Sequence, residues 1–455
     1  MAGKHLMPWV YQMPFAHFTL NLMAFGALRF ALESARMSVW IVEAKESSME
    51  KCEDIVVVGG GVAGLATALA LHRVGLRSLV LERADCLRTA GAAFMMWPNA
   101  WKALDALGVS DSLRPFYSQL DGIRGSSICT GVCKNVPLKS GGKGDSSMKL
   151  ESRCIERMAL LEALAKELPV GSIRFNSKIV SLHRDTISPF TTLELADGRS
   201  LTAKIVIGCD GVYSVIARWM GLPPPKTTGR IAIRGMVTYT EDHHFEKLML
   251  QVWGKGVKAG FITCTDKKVY WFVTRRSHPQ DAEICGDAER VMHAALEMVR
   301  DFPEPIAELI KSSPVETINM ADLKVRWVWP WEWGRGVEKG KGSVTIVGDA
   351  LHPMMPDLAQ GACMALEDAV HLSRCLEQVI KSVNMADWGK AQAEKIETCF
   401  NKYLQERRWR VSGIVSVAFV MGFVQEGSSR LERFVRDWIF FPLFSMRYLL
   451  YFVHS

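Results

Sequence analysis

The most regular pattern of apolar positions lies between residues 54 and 82, in DIVVVGGGVAGLATALALHRVGLRSLVLE. Ile55 to Val58 form an unbroken apolar run, which predicts a strand buried on both faces in a parallel sheet. Val62 to Val74 carry Leu, Ala and Val at helical spacing, and Gly75 is placed to end that helix. Ser78 to Leu81 predict a second strand. The stretch therefore predicts strand, glycine turn, helix and strand.

Farther along the chain the pattern changes. Residues 226–330 are richer in aromatic and β-branched residues with hairpin-like spacing, which predicts a mostly antiparallel sheet capped by a helix. A short strand pair is predicted at residues 126–139. Further helices are predicted from Pro98 or Asn99 to Gly108, over Glu151 to Leu168, after Asp357, over residues 390–412, and as amphipathic segments after Ile414.

A glycine motif gives the first strand and helix a candidate chemistry. Gly59, Gly61 and Gly64 follow the strand in GxGxxG spacing. The first permits a tight turn, the second lets a pyrophosphate approach the backbone, and the third lets helix pack on strand. Val62 and Ala63 open the helix, where unpaired N–H groups favour a bound anion.

The second strand ends in Glu82, followed by Arg83. A carboxylate there accepts hydrogen bonds from ribose hydroxyls, so strand, turn, helix and acid together predict an adenine dinucleotide site. The motif alone leaves NAD and FAD open. A second run of glycines resembles the motif and consists of Gly254, Gly256 and Gly260. A strand pattern rather than a helix follows it, which predicts a hairpin and no second dinucleotide-binding unit for a nicotinamide.

Two acids follow later strands. Asp210 and Gly211 come directly after the buried run Ile205 to Ile207, at the strand end where α/β sheets bind ligands. Asp349 follows the strand predicted at Val344 to Val347 and is placed to accept from a polyol hydroxyl. Both acids are therefore candidate binding residues.

The remaining candidates lie near helix starts. The backbone of Gln360, Gly361 and Ala362 would stabilise negative charge on a bound ring. Arg157 has two open interpretations, a solvated surface charge or a phosphate ligand with forked donors. His352, in a loop with prolines beside a candidate ligand site, is predicted to have a structural hydrogen-bonding role rather than that of a general base.

Composition limits the class of protein. The length of 455 residues suggests two or three domains, and 49% hydrophobic with 23% charged residues is typical of a globular protein. The net charge of +7 comes without a Lys/Arg block, so no nucleic-acid binding is expected. Eleven cysteines lack zinc spacing, so we expect no metal site and a reducing compartment, cytoplasm or plastid.

Residues 1–48 precede the glycine motif unit. Three interpretations stay open: an extension from an upstream start codon without a role in the fold, an organelle transit peptide, and a membrane anchor.

Three motifs occur in a fixed order: GxGxxG with Glu82, CDGVYS with Arg218, and GDALHPMMPDLAQG. Together they resemble the single-component FAD-dependent aromatic hydroxylases, the p-hydroxybenzoate hydroxylase superfamily that includes the salicylate hydroxylases. ALALHRVGLRSLVLE, MMWPNAWKALDALGV and HPMMPDLAQGACMALEDAV resemble the plant salicylate-hydroxylase-like, or urate-hydroxylase-like, monooxygenases. The resemblance covers residues 50–440.

The resemblance implies an α/β fold. A Rossmann-like FAD-binding domain would comprise residues 49–225 and 331–385, and the strand pair near 126–139 would lie on the substrate side. Residues 226–330 would form an inserted, mostly antiparallel substrate domain, and residues 386–455 a C-terminal helical region.

Residue by residue, the resemblance places Glu82 on the adenosine ribose and Arg157 near the ribityl and phosphate part of FAD. It places Asp210 and Gly211 at a turn serving both FAD and NAD(P)H. Asp349 would lie on the ribityl chain.

The loop from Pro356 to Ala362 would lie by the pyrimidine edge of the flavin. The family often has LGQGG where this chain has LAQGA, so Ala359 and Ala362 add methyl groups beside the ring. Whether they restrict the backbone or are harmless stays open.

The implied reaction is reduction of FAD by NADPH or NADH, followed by oxygen addition to give a flavin C4a-hydroperoxide. That species would hydroxylate a small aromatic or heteroaromatic substrate, without a metal and with no catalytic side chain identified. Two alternatives stay open. One is a flavin-binding regulatory protein without turnover, and the other is a membrane-surface oxygenase or epoxidase of a lipophilic substrate, with peripheral contact through the apolar C-terminal region.

Overall fold

The computed structural model describes residues 49–87, 93–138, 151–184, 188–327, 342–427 and 429–440. Residues 1–48, with their three interpretations, lie outside the described residues. The described strands are, in chain order, β1 Met49–Val58, β2 Leu79–Leu81, β3 Ala93–Met96, β4 Gly122–Ser127, β5 Cys133–Pro137, β6 Arg153–Glu156, β7 Ile173–Arg174, β8 Ile179–His183, β9 Thr191–Leu195, β10 Ser200–Gly208, β11 Lys226–Thr238, β12 Leu248–Trp253, β13 Val257–Thr263, β14 Lys268–Arg276, β15 Asn319–Val325 and β16 Val344–Ile346. The α-helices are α1 Val62–Arg73, α2 Pro98–Leu107, α3 Arg157–Lys166, α4 Val215–Trp219, α5 Asp281–Ile284, α6 Ala288–Met298, α7 Glu304–Lys311, α8 Gly361–Ile380, α9 Lys390–Gln425 and α10 Arg430–Phe434.

The first sheet is built around β1, α1 and β2. Its order is β7-β2-β1-β10-β9-β8, and β16 pairs with β10. β1 and β2 run parallel with Val57 opposite Val80, because α1 supplies the crossover that parallel strands need. Both side chains are fully buried, as the apolar run predicts. This sheet confirms the Rossmann-like part of the predicted fold.

The second sheet has the order β15-β11-β14-β13-β12-β4-β5. Its pairs are antiparallel except β12 with β4, which run parallel. β12 and β13 form the hairpin predicted at the second glycine run, with Trp253 opposite Lys258. The strand pair expected near 126–139 is the hairpin of β4 and β5, and it joins this sheet through β12. The sheet is therefore mostly antiparallel, as predicted.

Two helix predictions were wrong in their bounds. The helix expected from Glu151 begins only at Arg157, because residues 153–156 form β6 and pair with β3, with Cys154 opposite Met95. The charged helix expected over residues 390–412 continues to Gln425 as α9. Its apolar continuation stays helical because one side packs into the core, as the burial of Ile414 shows.

α9 is 36 residues long, and its last part has an unusual surface. From Val411 to Gln425 it contains no Asp, Glu, Lys or Arg. Ala418 is fully buried on the inner side, whereas Phe423 on the outer side is 54% exposed. Within the described ranges no single helix is long and apolar enough to span a membrane; α9 and Arg430–Trp438 meet the length and composition criteria only together, across a bend of 115°.

Candidate functional site

A cavity of about 200 Å³ opens at the carboxyl ends of β1 and β2. Glu82 closes one side of it and is 8% exposed. Its carboxylate accepts hydrogen bonds from the backbone N–H of Gly60 at 2.6 Å and of Ala84 at 2.9 Å. These bonds hold the acid at the strand end, where a ribose is expected in this fold. The predicted residues lining this cavity are Gly59, Gly61, Glu82, Arg83, Arg157, Asp210 and Gly211.

The glycines of this region fall into two groups. A Cβ at Gly64 would lie 1.8 Å from the carbonyl oxygen of Gly59, so helix and turn are too close for any side chain. A Cβ at Gly61, Gly211 or Gly361 would meet no protein atom within 4 Å. These three line the cavities and leave bare backbone facing open space. The residues present therefore fit a dinucleotide that lies against the backbone.

A second cavity of about 420 Å³ lies between the start of α8 and one face of the second sheet. It shares Gly61, Arg157, Cys209 and Gly211 with the first cavity, so the two form one groove. Arg157, the first residue of α3, lies at their junction. This is the position that the phosphate interpretation of Arg157 requires, and its role stays a prediction.

Most predicted site residues line this groove, and two do not. In addition to those already placed, the larger cavity is lined by Val62, Ala63, Asp349, Pro356, Gly361 and Ala362. Gly64 lies behind the wall, where it lets α1 approach the turn. Gln360 is fully buried, and its Oε1 accepts a hydrogen bond from Asn99 Nδ2 at 3.0 Å. The Nε2 of Gln360 has no hydrogen-bond partner among the described residues.

Two acids lie at the groove, Asp210 half-buried and Asp349 exposed to the larger cavity. Asp210 Oδ2 accepts from the backbone N–H of Val215 at 2.7 Å, whereas its Oδ1 has no hydrogen-bond partner among the described residues. Desolvation by the surrounding protein raises the pKa of Asp210 above the usual value, and that of Asp349 as well although its side chain is open to the cavity. For Asp349, the charges of His352 and Arg157 oppose that rise. Carboxylates in this state are suited to accept from ligand hydroxyl groups.

His352 is 2% exposed, and its Nε2 lies 2.6 Å from Asp368 Oδ2. Arg407 Nε donates to the other oxygen of Asp368 at 2.7 Å. Burial alone would raise the pKa of Asp368, but His352 and Arg407 hold this pKa well below its usual range. These contacts agree with the structural role predicted for His352.

A hydrogen bond from the residue that precedes α2 holds the loop before α8 in place. Trp97 Nε1 donates to the carbonyl oxygen of Leu358 at 3.1 Å. Ala359 has φ of +50°, a left-handed conformation that costs free energy in a residue with a side chain. Of the two alanines that replace family glycines, Ala359 is thus in a conformation that glycine favours. Ala362 lies within α8 and lines the cavity.

The second sheet supplies residues that sequence reasoning did not identify. Alternate positions on four of its strands line the larger cavity: Ala232, Arg234, Met249, Gln251, Lys258, Ile262, Tyr270, Phe272 and Thr274. They share one face because strand side chains alternate between faces. Spacing by two is the signal that finds them, but only once one residue of each strand has been assigned to the cavity.

Arg234 differs from the other cation on this face. Lys258 Nζ lies 2.5 Å from Asp357 Oδ1, whereas the Nε of Arg234 has no hydrogen-bond partner among the described residues. Burial raises the pKa of the neighbouring Tyr270 hydroxyl, and the charge of Arg234 opposes that rise. A guanidinium and a protonated phenol therefore lie together at the cavity wall.

Comparisons with known proteins agree with this geometry. The family model described as FAD binding domain matches residues 53–415. Monooxygenase 2 of Arabidopsis thaliana is 40% identical over 392 residues, which cover 85% of this chain and 93% of that protein. The 3-hydroxybenzoate 6-hydroxylase of Klebsiella oxytoca is 29% identical, over 72% of this chain and 81% of that protein.

A solved structure of Klebsiella pneumoniae HpxO with FAD and uric acid has the same fold, with a TM-score of 0.72 at 20% identity over 88% of this chain and 96% of that one. The groove and these matches define an FAD-dependent oxidoreductase. The chain belongs to the FAD-dependent monooxygenases, and FAD is its cofactor.

Proposed function

We propose that the protein uses NAD(P)H and O₂ to hydroxylate a small aromatic or heteroaromatic compound that carries an acidic group. Bound FAD supplies the redox and oxygen chemistry, and the protein binds, orients and shields the reactants. One observation carries the proposal: the cavity at Glu82 shares four lining residues with the cavity at the face of the second sheet that bears Arg234.

The chemistry of that face supports an acidic aromatic substrate. Met249, Ile262 and Phe272 provide apolar surface for a planar ring. Arg234 offers a planar fork of donors, which suits a carboxylate or a phenolate. The volume of about 420 Å³ falls within the range of small-molecule sites. Arg234 is half-buried, and its buried Nε has no hydrogen-bond partner among the described residues, which favours an anion over a neutral compound.

We place the nicotinamide co-substrate, NADPH or NADH, at the turn that contains Asp210 and Gly211. The second glycine run is a hairpin between β12 and β13, so it offers no separate dinucleotide unit. Tyr213, 66% exposed, lies at the mouth of the smaller cavity, with Lys324 Nζ 5.0 Å from its ring centre. An exposed aromatic ring beside a cation suits transient binding of a charged nucleotide.

The test compares acids with matched neutral compounds. Salicylate, 3-hydroxybenzoate and urate are each assayed for stimulation of NAD(P)H oxidation, and salicylamide serves as the neutral counterpart of salicylate. We expect stimulation by at least one acid and none by the amide. Arg234→Met should raise the KM for that acid by about 10- to 100-fold, the loss of a hydrogen bond to a charged group, with an unchanged flavin spectrum. Equal stimulation by acid and amide would refute the role of Arg234.

A second candidate, oxygenation of a lipophilic compound at an anionic membrane surface, is favoured by a separate observation. Exposed apolar side chains follow the outer side of α9 and the segment after it: Trp409, Val420, Phe423, Leu431, Phe434 and Trp438. Arg430 and Arg433 lie between them in the sequence. Aromatic residues with interspersed arginines are typical of interfacial membrane contacts.

Vesicle binding tests this second candidate. Co-sedimentation with vesicles of anionic phospholipid should be lost when Phe423, Phe434 and Trp438 are replaced by Ser, because exposed positions can change without loss of the core. Vesicles of neutral phospholipid serve as the control. Failure of the unsubstituted protein to bind either kind of vesicle removes this candidate.

A further inference from the structure

Four charged side chains from separate elements meet in the wall of the larger cavity. Arg230 lies on β11, Lys258 on β13, Asp357 in the turn before α8, and Glu426 directly after α9. We call them the buried charge cluster. Their side chains are between 0% and 7% exposed, and Lys258 and Asp357 line the cavity.

The hydrogen bonds of the cluster use both oxygens of each acid. Arg230 donates to Asp357 at 2.8 and 3.1 Å, and its Nε donates to Glu426 Oε2 at 2.7 Å. Arg230 Nη2 contacts the other Glu426 oxygen. Lys258 Nζ donates to Asp357 Oδ1 at 2.5 Å and to the Gln425 side-chain oxygen at 2.9 Å. The end of α9 is thus linked to the loop before α8 through Arg230 and Lys258.

Two cations and two anions make the cluster neutral overall. Burial alone would raise the pKa of Asp357. The charges of Lys258 and Arg230 outweigh burial and lower this pKa to about 2, so Asp357 is ionised at neutral pH. Charges that are shielded from water act over longer distances than charges on the surface. A net charge at this wall would therefore be felt within the cavity.

We propose that Glu426 helps to set the reduction potential of the bound flavin by balancing the charge of this wall. The inference rests on the proposed function and on the flavin position that the family resemblance implies, beside residues 356–362, the loop that contains Asp357. Glu426 acts through Arg230 and Asp357 and does not itself line the cavity. Reduction adds negative charge to the flavin, so a positive wall favours the reduced form and a negative wall opposes it.

Gln425 makes an isosteric test possible, because it is the neutral neighbour of Glu426 and is bonded to Lys258. Glu426→Gln leaves the cluster with one excess positive charge, and Gln425→Glu adds one negative charge. The double variant Gln425→Glu/Glu426→Gln restores neutrality with the same side-chain shapes. We expect the flavin midpoint potential to be highest in Glu426→Gln, lowest in Gln425→Glu, and close to that of the unsubstituted protein in the double variant.

The potential is measured on the full-length holoprotein from flavin absorbance during reduction, without substrate. A purely structural role of Glu426 predicts the same potential in every variant that retains FAD, together with losses of thermal stability. Shifts of the same sign in the two single variants, or no shift in either, would overturn the proposal. If Glu426→Gln does not fold, the proposal is still tested by Gln425→Glu, which should lower the potential, and by the double variant, which should restore it.

A surface pair provides the matched control. Glu246→Gln removes one charge from the Arg124–Glu246 ion pair at 2.6 Å, where the Glu246 side chain is 66% exposed. Water and salt screen this change, so we expect no shift of potential. The measurement needs bound FAD but no hydroxylation, so a flavoprotein that fails to hydroxylate any compound would refute the proposed function and still give interpretable potentials.

Discussion

Gly61 directly precedes α1 and Gly64 lies in its first turn, and an added methyl group would meet different surroundings at the two positions. At Gly64 it would lie 1.8 Å from a carbonyl oxygen, and at Gly61 it would meet no protein atom within 4 Å. We expect Gly64→Ala to fail to fold and Gly61→Ala to fold with much less bound FAD, because its methyl group occupies the approach of the pyrophosphate. Thermal unfolding and the ratio of flavin to protein absorbance check both. Full flavin content in Gly61→Ala would contradict the predicted contact.

Asp349 provides a second test among single residues. Desolvation raises its pKa, so ionisation above the usual value for aspartate opposes folding, but solvent in the open cavity screens this effect and leaves it small. We expect Asp349→Asn to weaken FAD binding by about tenfold, the loss of one hydrogen bond, and to leave the stability of the apoprotein nearly unchanged because the side chain is exposed to the cavity. Denaturation at acidic and neutral pH and titration with FAD measure the two effects. Tighter FAD binding would contradict the ribityl assignment.

The candidate site was predictable where a local motif carries it. Spacing along the chain was sufficient for the glycines and for Glu82, because strand, turn and helix are consecutive there. The substrate face was not predictable in the same way, since Arg234 and Tyr270 become neighbours only when β11 pairs with β14. Which side chains of a strand point toward the cavity depends on that long-range pairing.

At the scale of elements, α8 and α9 are joined by buried ion pairs. Arg407 on α9 is 2% exposed and donates to Asp368 at 2.7 Å and to Glu367 at 2.8 Å, both on α8. We expect Arg407→Met to lower the free energy of unfolding by about 3–5 kcal/mol, because it leaves two buried acids short of a partner. Chemical denaturation of the purified protein measures this loss.

A surface residue of the same helix is the control. Lys402 is 59% exposed and lies 3.9 Å from Glu406, so we expect Lys402→Met to change stability by less than about 0.5 kcal/mol. Similar losses in the two variants would show that the buried ion pairs do not join the helices.

The elements that sequence predicted best have local start and stop signals. α2 begins at Pro98 and is followed by Gly108 with φ of +73°, so both of its limits are visible in the sequence. β6 lacks such signals. It is a strand because it pairs with β3, more than fifty residues earlier, and this pairing overrides the local helical pattern.

At the scale of the whole molecule, distant parts of the chain converge on one groove. The turn after β1, the start of α3, the loop before α8 and one face of the second sheet all line it. The end of α9 supports the wall of that groove through Arg230 and Lys258. Cofactor binding and substrate binding are thus expected to be coupled through shared walls rather than through a flexible connection between separate sites.

Incorporation of isotopically labelled O₂ tests the central claim most directly. The holoprotein is incubated with NADPH or NADH, labelled O₂ and the acidic aromatic compound that stimulates it best, and the product is analysed by mass spectrometry. We predict one labelled oxygen atom in the aromatic product for each NAD(P)H oxidised in coupled turnover. A product whose added oxygen comes from water, or a holoprotein that produces only hydrogen peroxide with every compound, would contradict the proposed hydroxylation.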